Sequence, residues 1–484
     1  MKPYPDYRDS GVPWLGTIPA HWEVKRIRRL ARIGNGSTPS RGRMDFWEHG
    51  DIPWLNSSSV HQGRITKAKQ FVTTVAFREC HLPMVPAGSV LVAITGQGKT
   101  RGTAAVLATD STINQHMAFI TPQKDRLFGE YLHWHLSGAY AELRAISDGA
   151  GGTKGALTCQ DVKEFPIALP PFDEQRKIAS YLDAHGRLVQ QFIRNRRRLI
   201  GVLNERRQAV IDRLVTRGKD PGAVLRPSGI DWLGEVPAHW DVLKLKRVAR
   251  IDPSRSESVH LRDSDGPAVF LPMERISTDG QIDASDRRPV SSLWQGFTYF
   301  RRNDVILAKI TPCFQNGKSA CLSQLPTPIG FGTTELIVLR AGSRVVPEFL
   351  RRVTCLSAFR RFGVESMTGA AGQQRVSLEF VANFSAPMPP IEEQHELVRA
   401  MSAHFANADR AIADAERGIA LVREYRTRLI ADVVTGKIDV RGLTSPEAVV
   451  EAEATAAEIE GTDGELGADV DEAELVEEGA DAGD

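Results

Sequence analysis

Cysteine is scarce in this chain, and no two cysteines stand close enough to form a metal or redox motif. The 484 residues contain five cysteines, an odd number, and no Cys-X-X-Cys sequence. Disulfide-rich secreted domains and cysteine-based zinc sites are therefore not expected. We predict five ordinary reduced residues.

Long apolar runs are also missing. None approaches the ~18 consecutive apolar residues that a membrane-spanning helix needs. The first nine residues mix prolines with charges and contain no apolar segment typical of a secretory signal. We therefore expect a cytoplasmic protein that does not enter a membrane. The chain is 42% hydrophobic and 25% charged, as in globular proteins, and its length predicts about two to four domains.

The carboxyl-terminal segment lacks basic residues. Residues 446–484 contain fifteen Asp or Glu and no Lys or Arg, whereas the rest of the chain has 61 basic and 45 acidic residues. The formal net charge of +1 thus hides a body with a balance of +16. Such a body is expected to attract polyanions, and such a tail is expected to be disordered. The tail is consistent with a role in solubility and with a regulatory or DNA-mimicking role.

The body of the chain contains an internal duplication. GVPWLGTIPAHW at 11–22 recurs as GIDWLGEVPAHW at 229–240, with eight of twelve positions identical. PPFDEQ at 170–175 recurs as PPIEEQ at 389–394. The two offsets are nearly equal, so whole domains were duplicated.

Each copy changes character at its double proline. Short apolar runs broken by Gly, Pro, Ser and Asn come first and predict a strand-rich α/β module. About 40 residues with helical apolar spacing follow. We therefore predict a first module at 1–168, a helix at 169–218, a second module at 219–388, a helix at 389–440 and an acidic tail at 441–484.

The apolar residues of the two helices recur in alternating steps of three and four, which predicts a coiled coil. Pro171 and Pro390 suit helix starts, and Gly218 and Gly436 suit helix ends. If the duplicated helices have equivalent roles, they pack antiparallel about a pseudo-two-fold axis. The predicted seam consists of Ile178, Leu182, Val189, Phe192, Leu199, Leu203, Val210 and Leu214 in the first helix, and Leu397, Met401, Phe405, Ile412, Ile419, Val422, Leu429 and Val433 in the second.

Several segments together resemble the specificity subunits of type I restriction-modification enzymes. They are DSGVPWLGTIPAHWEV and its repeat, the helix starts LPPFDEQRKIASYLD and MPPIEEQHELVRAMS, and the ending IADVVTGKIDV. The resemblance covers residues 1 to about 440. It implies two tandem target recognition domains that read the two parts of a split, asymmetric DNA site, each followed by a spacer helix.

The resemblance also implies partners and the absence of an active site in this chain. In that family the helices dock two modification subunits, which bind S-adenosylmethionine and methylate adenine, and the complex recruits motor-nuclease subunits that use ATP and magnesium. We therefore expect no catalytic residue, no metal and no cofactor here. A two-headed coiled-coil adaptor that binds only proteins is the alternative, because it would have the same architecture.

Polar and basic loop residues are the DNA-binding candidates, since Arg and Lys suit phosphate and guanine whereas Asn and Gln suit adenine. The run of basic residues at 194–198 is compatible with phosphate contact and with a solvated helix face. The candidates are Arg41, Arg43, Lys67, Lys69, Lys99, Arg101 and Lys154 in the first module, and Arg255, Arg262, Arg287, Arg288, Lys318, Gln373, Gln374 and Arg375 in the second.

Three sequences resemble catalytic or metal-binding motifs. AITGQGKT at 93–100 is similar to a loosened phosphate-binding loop, but the residues after it have no helical period, so a DNA-contacting loop or a plain turn is favoured. His133-Trp134-His135 has no third metal ligand nearby and is expected on a helix. Leu169-Pro170-Pro171-Phe172 lacks the Asn or Asp that an adenine methyltransferase would use, so it predicts a helix start.

Overall fold

The computed structural model describes residues 2–96, 98–148, 155–370 and 372–443. Lys154 and the acidic tail from residue 444 onward lie outside the described residues. The chain forms two compact units. Unit 1 comprises Met1–Arg194 and Ile419–Asp484, and unit 2 comprises Asn195–Gly418.

Unit 1 is a mixed α/β structure around a five-stranded sheet of order β4-β11-β8-β9-β6. A three-stranded sheet of order β10-β5-β7 and the pairs β1-β2 and β12-β3 complete it. The strands are β1 (Tyr7–Asp9), β2 (Thr17–Pro19), β3 (Glu23–Arg26), β4 (Ala31–Asn35), β5 (Ile52–Leu55), β6 (Arg64–Ile65), β7 (Gln70–Val72), β8 (Val90–Ala93), β9 (Ala104–Leu107), β10 (Thr112–Ile113), β11 (Met117–Pro122) and β12 (Pro166–Leu169). The helices are α1 (Thr74–Glu79), α2 (Gly129–Gly138), α3 (Tyr140–Asp148) and α4 (Cys159–Glu164).

The central strands of unit 1 are apolar throughout because both faces of the sheet are covered. In β8, Val90 and Val92 pack into the core that contains the helices, whereas Leu91 and Ala93 pack into a second core on the other face. Successive side chains of a strand point to opposite faces, so a four-residue apolar run fills two cores.

Unit 2 repeats this plan with two four-stranded sheets. Their orders are β16-β23-β20-β21 and β18-β17-β22-β19, and the pairs β13-β14 and β15-β24 match β1-β2 and β3-β12. The strands are β13 (Leu225–Pro227), β14 (Glu235–Pro237), β15 (Asp241–Lys244), β16 (Ala249–Ile251), β17 (Pro267–Leu271), β18 (Arg287–Pro289), β19 (Thr298–Arg301), β20 (Asp304–Ala308), β21 (Ser319–Cys321), β22 (Ile329–Gly332), β23 (Leu336–Ala341) and β24 (Ser385–Met388). The helices are α6 (Val290–Leu293), α7 (Pro347–Thr354), α8 (Ser357–Glu365) and α9 (Leu378–Asn383).

Two long helices follow the strand-rich segments. They are α5 (Phe172–Arg217) and α10 (Ile391–Val434), of 46 and 44 residues. Each begins directly after its double proline, and the glycines predicted as helix stops, Gly218 and Gly436, have left-handed φ angles of 74° and 77°. Each unit contains a part of each helix, a division that the sequence did not predict.

The helix segments in unit 2 run antiparallel. Arg207 Nη1 lies 2.8 Å from Asp409 Oδ1, and Lys219, just beyond α5, pairs with Glu396. Residue numbers therefore rise along α5 where they fall along α10. In unit 1, His185 of α5 contacts Tyr425 of α10, with their rings 5.5 Å apart.

Most of the predicted seam is buried or half-buried, but Leu199 is not. Leu199 is 38% exposed, while the next residue, Ile200, is half-buried. An α-helix of 3.6 residues per turn drifts against a strict seven-residue repeat, so the buried stripe passes one position later than the spacing predicts. Leu199 thus does not lie in a buried seam.

The repeated DEQ and EEQ sequences anchor each long helix to its unit. Gln175 is 1% exposed, accepts a hydrogen bond from the Phe128 amide (2.8 Å) and donates to the carbonyl oxygens of Arg126 and Pro170. Gln394 forms the equivalent three bonds in unit 2, with the amide of Val346 and the carbonyls of Arg344 and Pro389. The motif is therefore structural.

The repeated Pro-Ala-His-Trp sequence completes this anchor in both units. In unit 1, Glu174 is 5% exposed and accepts hydrogen bonds from Trp22 Nε1 (3.1 Å) and the Tyr4 hydroxyl (2.6 Å). In unit 2, Glu393 accepts one from Trp240 Nε1 (3.0 Å). Burial and the Glu174 carboxylate raise the pKa of Tyr4 far above its ordinary value, so its hydroxyl stays a donor.

Within the described part of the chain, no helix is both long enough and apolar enough to cross a membrane.

Candidate nucleic-acid interface

Several loops of unit 1 meet at one end of the five-stranded sheet. Strands β4 and β8 end there, and the turn 114–116 leads into β11 between them. The Ile94 amide donates to the His116 carbonyl (2.9 Å), the Leu157 amide to the Ile94 carbonyl (2.8 Å) and the Ser37 amide to the Ile113 carbonyl (3.1 Å). These bonds fix the loops after β4 and β8, the turn and the segment before α4 against one another.

Exposed hydrogen-bonding side chains cover this end of the sheet. The Thr38 hydroxyl donates to the Gln115 amide oxygen, and Thr95 Oγ1 lies 2.8 Å from His116 Nδ1. Gln115 Nε2 lies 3.3 Å from His116 Nε2, and both Gln115 and His116 are exposed. Amide, hydroxyl and imidazole groups are suited to hydrogen bonds with the edges of bases.

The same turn is present in unit 2. In unit 1 the Asn114 side chain accepts a bond from the His116 amide (3.1 Å). In unit 2 the Thr333 hydroxyl accepts one from the Glu335 amide (3.3 Å), and the Lys309 amide donates to the Glu335 carbonyl (2.9 Å). The Val376 amide donates a hydrogen bond to the Lys309 carbonyl (2.9 Å), as the Leu157 amide does to the Ile94 carbonyl in unit 1.

The two copies of this turn differ in the side chains they present. Gln115 and His116 are replaced by Thr334 and Glu335, and Glu335 forms a bidentate ion pair with Arg375. That pair lowers the pKa of Glu335 and raises that of Arg375, so both groups stay charged. A repeated backbone therefore carries two different sets of hydrogen-bonding groups.

In unit 1, the predicted cations Arg41 and Lys99 lie in loops at this end of the sheet. The Arg41 guanidinium stacks on Trp47, with 4.0 Å to the ring centroid, and donates to Gln70 Oε1 (2.9 Å). Lys99 is exposed, and its ammonium forms no hydrogen bond or ion pair within the described residues. Lys67 and Lys69 are exposed and lead into Gln70 at the start of β7.

Two other predicted cations of unit 1 are held by acidic groups. Arg43 pairs with Asp45 and Glu79, which raises its pKa. Arg101 is 6% exposed and bonds to Asp148 and to the Gly155 carbonyl, so it joins the two borders of the segment 149–154 rather than facing solvent. The burial of an arginine in a polar loop leaves no recognisable pattern in the sequence, so the sequence could not have predicted this role of Arg101.

The predicted residues of unit 2 divide in the same way. Arg288 forms two bonds to Asp286 (3.1 and 2.9 Å), and Arg262 lies 3.9 Å from Asp263. Lys318 donates to the Met273 carbonyl (3.1 Å), and Arg255 donates to the Trp294 carbonyl. The remaining three are Arg287 and Gln373, which are exposed, and Gln374, whose backbone is bonded to Thr311.

Four polar residues at the interface were missed by the sequence reasoning: Thr38, Thr95, Gln115 and His116. None belongs to a charged cluster, and each lies at a strand end that is recognisable only when the strands are paired. The duplication offered a signal, because Asn114-Gln115-His116 and Thr333-Thr334-Glu335 each precede an apolar strand.

Two of the three motif imitations lack the structure of the sites that they resemble. No helix follows Thr100 in the described part of this segment; β9 begins at Ala104. His133 and His135 lie on α2, as expected, and burial lowers their pKa values to about 4 and about 3. No group of three or more His, Cys, Asp or Glu side chains among the described residues could hold a metal ion.

We expect Lys99→Ala to weaken binding to duplex DNA and to lower the slope of log affinity against log salt by about one, because one phosphate contact is lost. Fluorescence anisotropy across a salt series measures both quantities. Lys124→Ala is the matched control, since Lys124 is exposed beyond the opposite end of β11. An unchanged slope for Lys99→Ala would remove this loop from the interface.

Comparison with known proteins agrees with this picture. Residues 19–199 match the family described as the type I restriction modification DNA specificity domain. The EcoAI specificity subunit of Escherichia coli is 37% identical over 169 residues, which are 34% of this chain and 28% of that protein. This alignment thus spans less than a third of the relative.

Longer similarities are weaker in sequence. The EcoKI specificity subunit of Escherichia coli K12 is 21% identical over 458 residues, covering 91% of this chain and 94% of that protein. A solved structure concerning complex assembly and conformational transition of the type I R-M system contains a chain with a similar fold. It has a TM-score of 0.61 at 16% identity and covers 87% of this chain and 99% of that one. Over residues 19–199 the chain is therefore similar to the type I restriction modification DNA specificity domain, and its fold is similar to that of a chain from a type I R-M system.

Proposed function

We propose that this chain reads a bipartite, asymmetric DNA site with two recognition domains, residues 1–168 and 219–388. The observation that carries the proposal is the duplicated turn at 114–116 and 333–335, which has one hydrogen-bonded backbone and two sets of side chains. Equivalent turns with unlike groups would read unlike sequences, and this is what an asymmetric site requires.

We further propose that α5 and α10, within the spacer segments 169–218 and 389–440, form an antiparallel coiled coil that sets the distance between the two half-sites. The antiparallel direction of their segments in unit 2 supports this arrangement. Helix length would then fix the number of unread base pairs, because each residue adds 1.5 Å along the axis.

The catalytic chemistry is assigned to partner chains. Two modification subunits would bind S-adenosylmethionine and methylate adenine, and motor-nuclease subunits would use ATP and magnesium. This chain would supply sequence recognition and docking, with no catalytic residue and no cofactor of its own. The exposed cation Lys99 and the polar turn residues of the interface are groups that bind nucleic acid without reacting with it.

Co-expression with the presumed modification partner tests the proposal, with modified adenines mapped in genomic DNA by single-molecule sequencing. We expect a split motif with a fixed gap, one half of which changes when either recognition domain is exchanged. Insertion of two heptads into each spacer helix should lengthen the gap and leave both half-sites unchanged. A continuous motif that is insensitive to domain exchange would favour the two-headed protein adaptor.

A further inference from the structure

A cavity of about 510 Å³ in unit 2 is lined by four arginines. They are Arg207 of α5, Arg351 and Arg352 of α7, and Arg360 of α8, whereas the carboxylates in the lining are Glu205 and Asp279. The volume is in the range of small-ligand sites. The lining therefore combines a ligand-sized space with an excess of positive charge.

Three of the four guanidinium groups are held in place by protein atoms. Arg207 pairs with Asp409 at 2.8 Å, and Arg360 donates to the Gln208 amide oxygen. Arg351 is buried and donates to the carbonyls of Ser319 (3.2 Å) and Asp279 (2.6 Å). Neutral carbonyls orient Arg351 without neutralising its charge.

Arg352 is the exception. Its guanidinium lies 5.2 Å from the centroid of the Phe405 ring and has no hydrogen bond or ion pair among the described residues. Burial and the neighbouring guanidinium of Arg351 lower its pKa to about 10. Five N–H donors at a half-buried position are thus left for a ligand.

The field of the cluster also acts on a thiol in the cavity wall. Burial by itself raises the pKa of Cys355, but the guanidinium groups of Arg351, Arg352 and Arg360 lower it below the usual value. The potential in the cavity therefore favours negative charge.

Unit 1 shows that the fold does not need this cluster. GEYLHW at 129–134 aligns with PEFLRR at 347–352, so His133 and Trp134 replace Arg351 and Arg352. Burial lowers the pKa of His133 to about 4, which leaves it neutral near pH 7. Only Arg426, the equivalent of Arg207, remains, and it stacks on Trp134 at 5.6 Å.

A second difference accompanies the first. Gly186 of unit 1 aligns with Phe405 of unit 2. Because glycine has no side chain, the Trp134 ring can lie close to this position, where a Cβ on residue 186 would be 3.5 Å from the ring. In unit 2 the aromatic ring belongs to Phe405 of α10, and the guanidinium groups of Arg207 and Arg352 lie over this ring. The aromatic and cationic positions are thus exchanged between the copies.

We propose that this cavity, defined by Arg207, Arg351, Arg352 and Arg360, binds phosphate groups, a function separate from base reading at the sheet ends. Guanidinium groups match phosphate oxygens in geometry and charge, and several arginines around one space favour a ligand with two or more phosphates. The phosphates come either from a free oligophosphate or from the backbone of a bound duplex, and these sources differ in their experimental signatures.

The first experiment uses the DNA-free full chain with inorganic pyrophosphate, at constant ionic strength set with chloride. We expect saturable binding by isothermal titration calorimetry and an increase in the thermal midpoint. Arg352→Gln should weaken binding about tenfold or more, because charge-assisted hydrogen bonds are lost. Without ligand, the same variant should melt at or above the wild-type temperature, since it removes a half-buried charge that repels the guanidinium of Arg351.

The matched control is Arg426→Gln, which removes the equivalent stacked arginine of unit 1. It should bind pyrophosphate as the wild type does, whereas Arg207→Gln should weaken binding. If Arg426→Gln and Arg352→Gln lost pyrophosphate binding equally, the loss would reflect overall charge, and the proposal would be overturned.

The second experiment measures the salt dependence of duplex binding for the same variants. If pyrophosphate does not bind but Arg352→Gln lowers the salt slope by about one and Arg426→Gln does not, the backbone of the duplex supplies the phosphate. Absence of both effects overturns the proposal. Site-specific methylation would remain intact in that case, so the proposed reading function is tested independently.

Discussion

Replacement of Gln175 by methionine is expected to lower the free energy of unfolding of unit 1 by about 3 kcal/mol, since each buried polar group left without a partner costs about 1–3 kcal/mol. Methionine keeps the length of the side chain but cannot donate to the carbonyls of Arg126 and Pro170 or accept from the Phe128 amide. Urea unfolding followed by circular dichroism measures the loss, and limited proteolysis locates it in unit 1.

Two further variants define the origin of this loss. Gln394→Met removes the equivalent three bonds and should destabilise unit 2 by a similar amount. Gln160→Met changes an exposed glutamine of α4 whose side chain bonds to Glu164, so its effect should stay within about 0.5 kcal/mol. If Gln175→Met were as stable as Gln160→Met, the anchor would contribute nothing to folding.

Loss of both turn side chains in Gln115→Ala/His116→Ala is expected to reduce binding to the cognate site about 100-fold, because each well-placed base contact contributes about 1–3 kcal/mol of discrimination. Binding to unrelated duplex should be unchanged, since phosphate contacts carry no sequence information. Competition titrations with cognate and scrambled duplexes separate the two affinities, once the methylation map has given the site.

The duplication supplies controls for this prediction. Thr334→Ala should relax only the half-site read by unit 2, because it alters the equivalent turn. Gln123→Ala changes an exposed glutamine just beyond the other end of β11 and should leave specificity intact. An equal fall in cognate and scrambled affinity for the Gln115→Ala/His116→Ala variant would mean that the turn contacts phosphate rather than bases.

The helices were the most predictable part of this fold. Pro171, Pro390, Gly218 and Gly436 delimit α5 and α10 because a proline has no backbone N–H to contribute to a helix and a left-handed C-terminal residue is best supplied by glycine. These are local properties of single residues, so one sequence suffices to predict them. The error at Leu199 arose because the strict repeat ignored the drift of a 3.6-residue helix.

The interface was less predictable because it depends on contacts between distant segments. The charge of Arg101 made it a candidate, but its partner Asp148 lies 47 residues away, and only the folded loop shows that the Arg101 side chain is buried. Gln115 carries no charge and was not selected, although its position opposite Thr38 places it on the exposed end of the sheet. Charge identifies residues able to bind DNA, whereas strand pairing decides which of them are presented.

In unit 1 the first and last described segments of the chain lie against each other. The equivalent segments of unit 2 are consecutive in the sequence. Lys2 forms a β-bridge with Asp439, and the Tyr7 hydroxyl donates to the Gly436 carbonyl (3.0 Å). In unit 2 the equivalent path from Gly218 to Leu225 is continuous chain. Residues 2–7 and 436–439 thus lie together in unit 1 at the position that a continuous segment of chain occupies in unit 2. A circular permutant opened between residues 218 and 225, with 443 linked to 2, should keep every contact of the original, and recombination at this junction would move whole recognition domains without breaking a core.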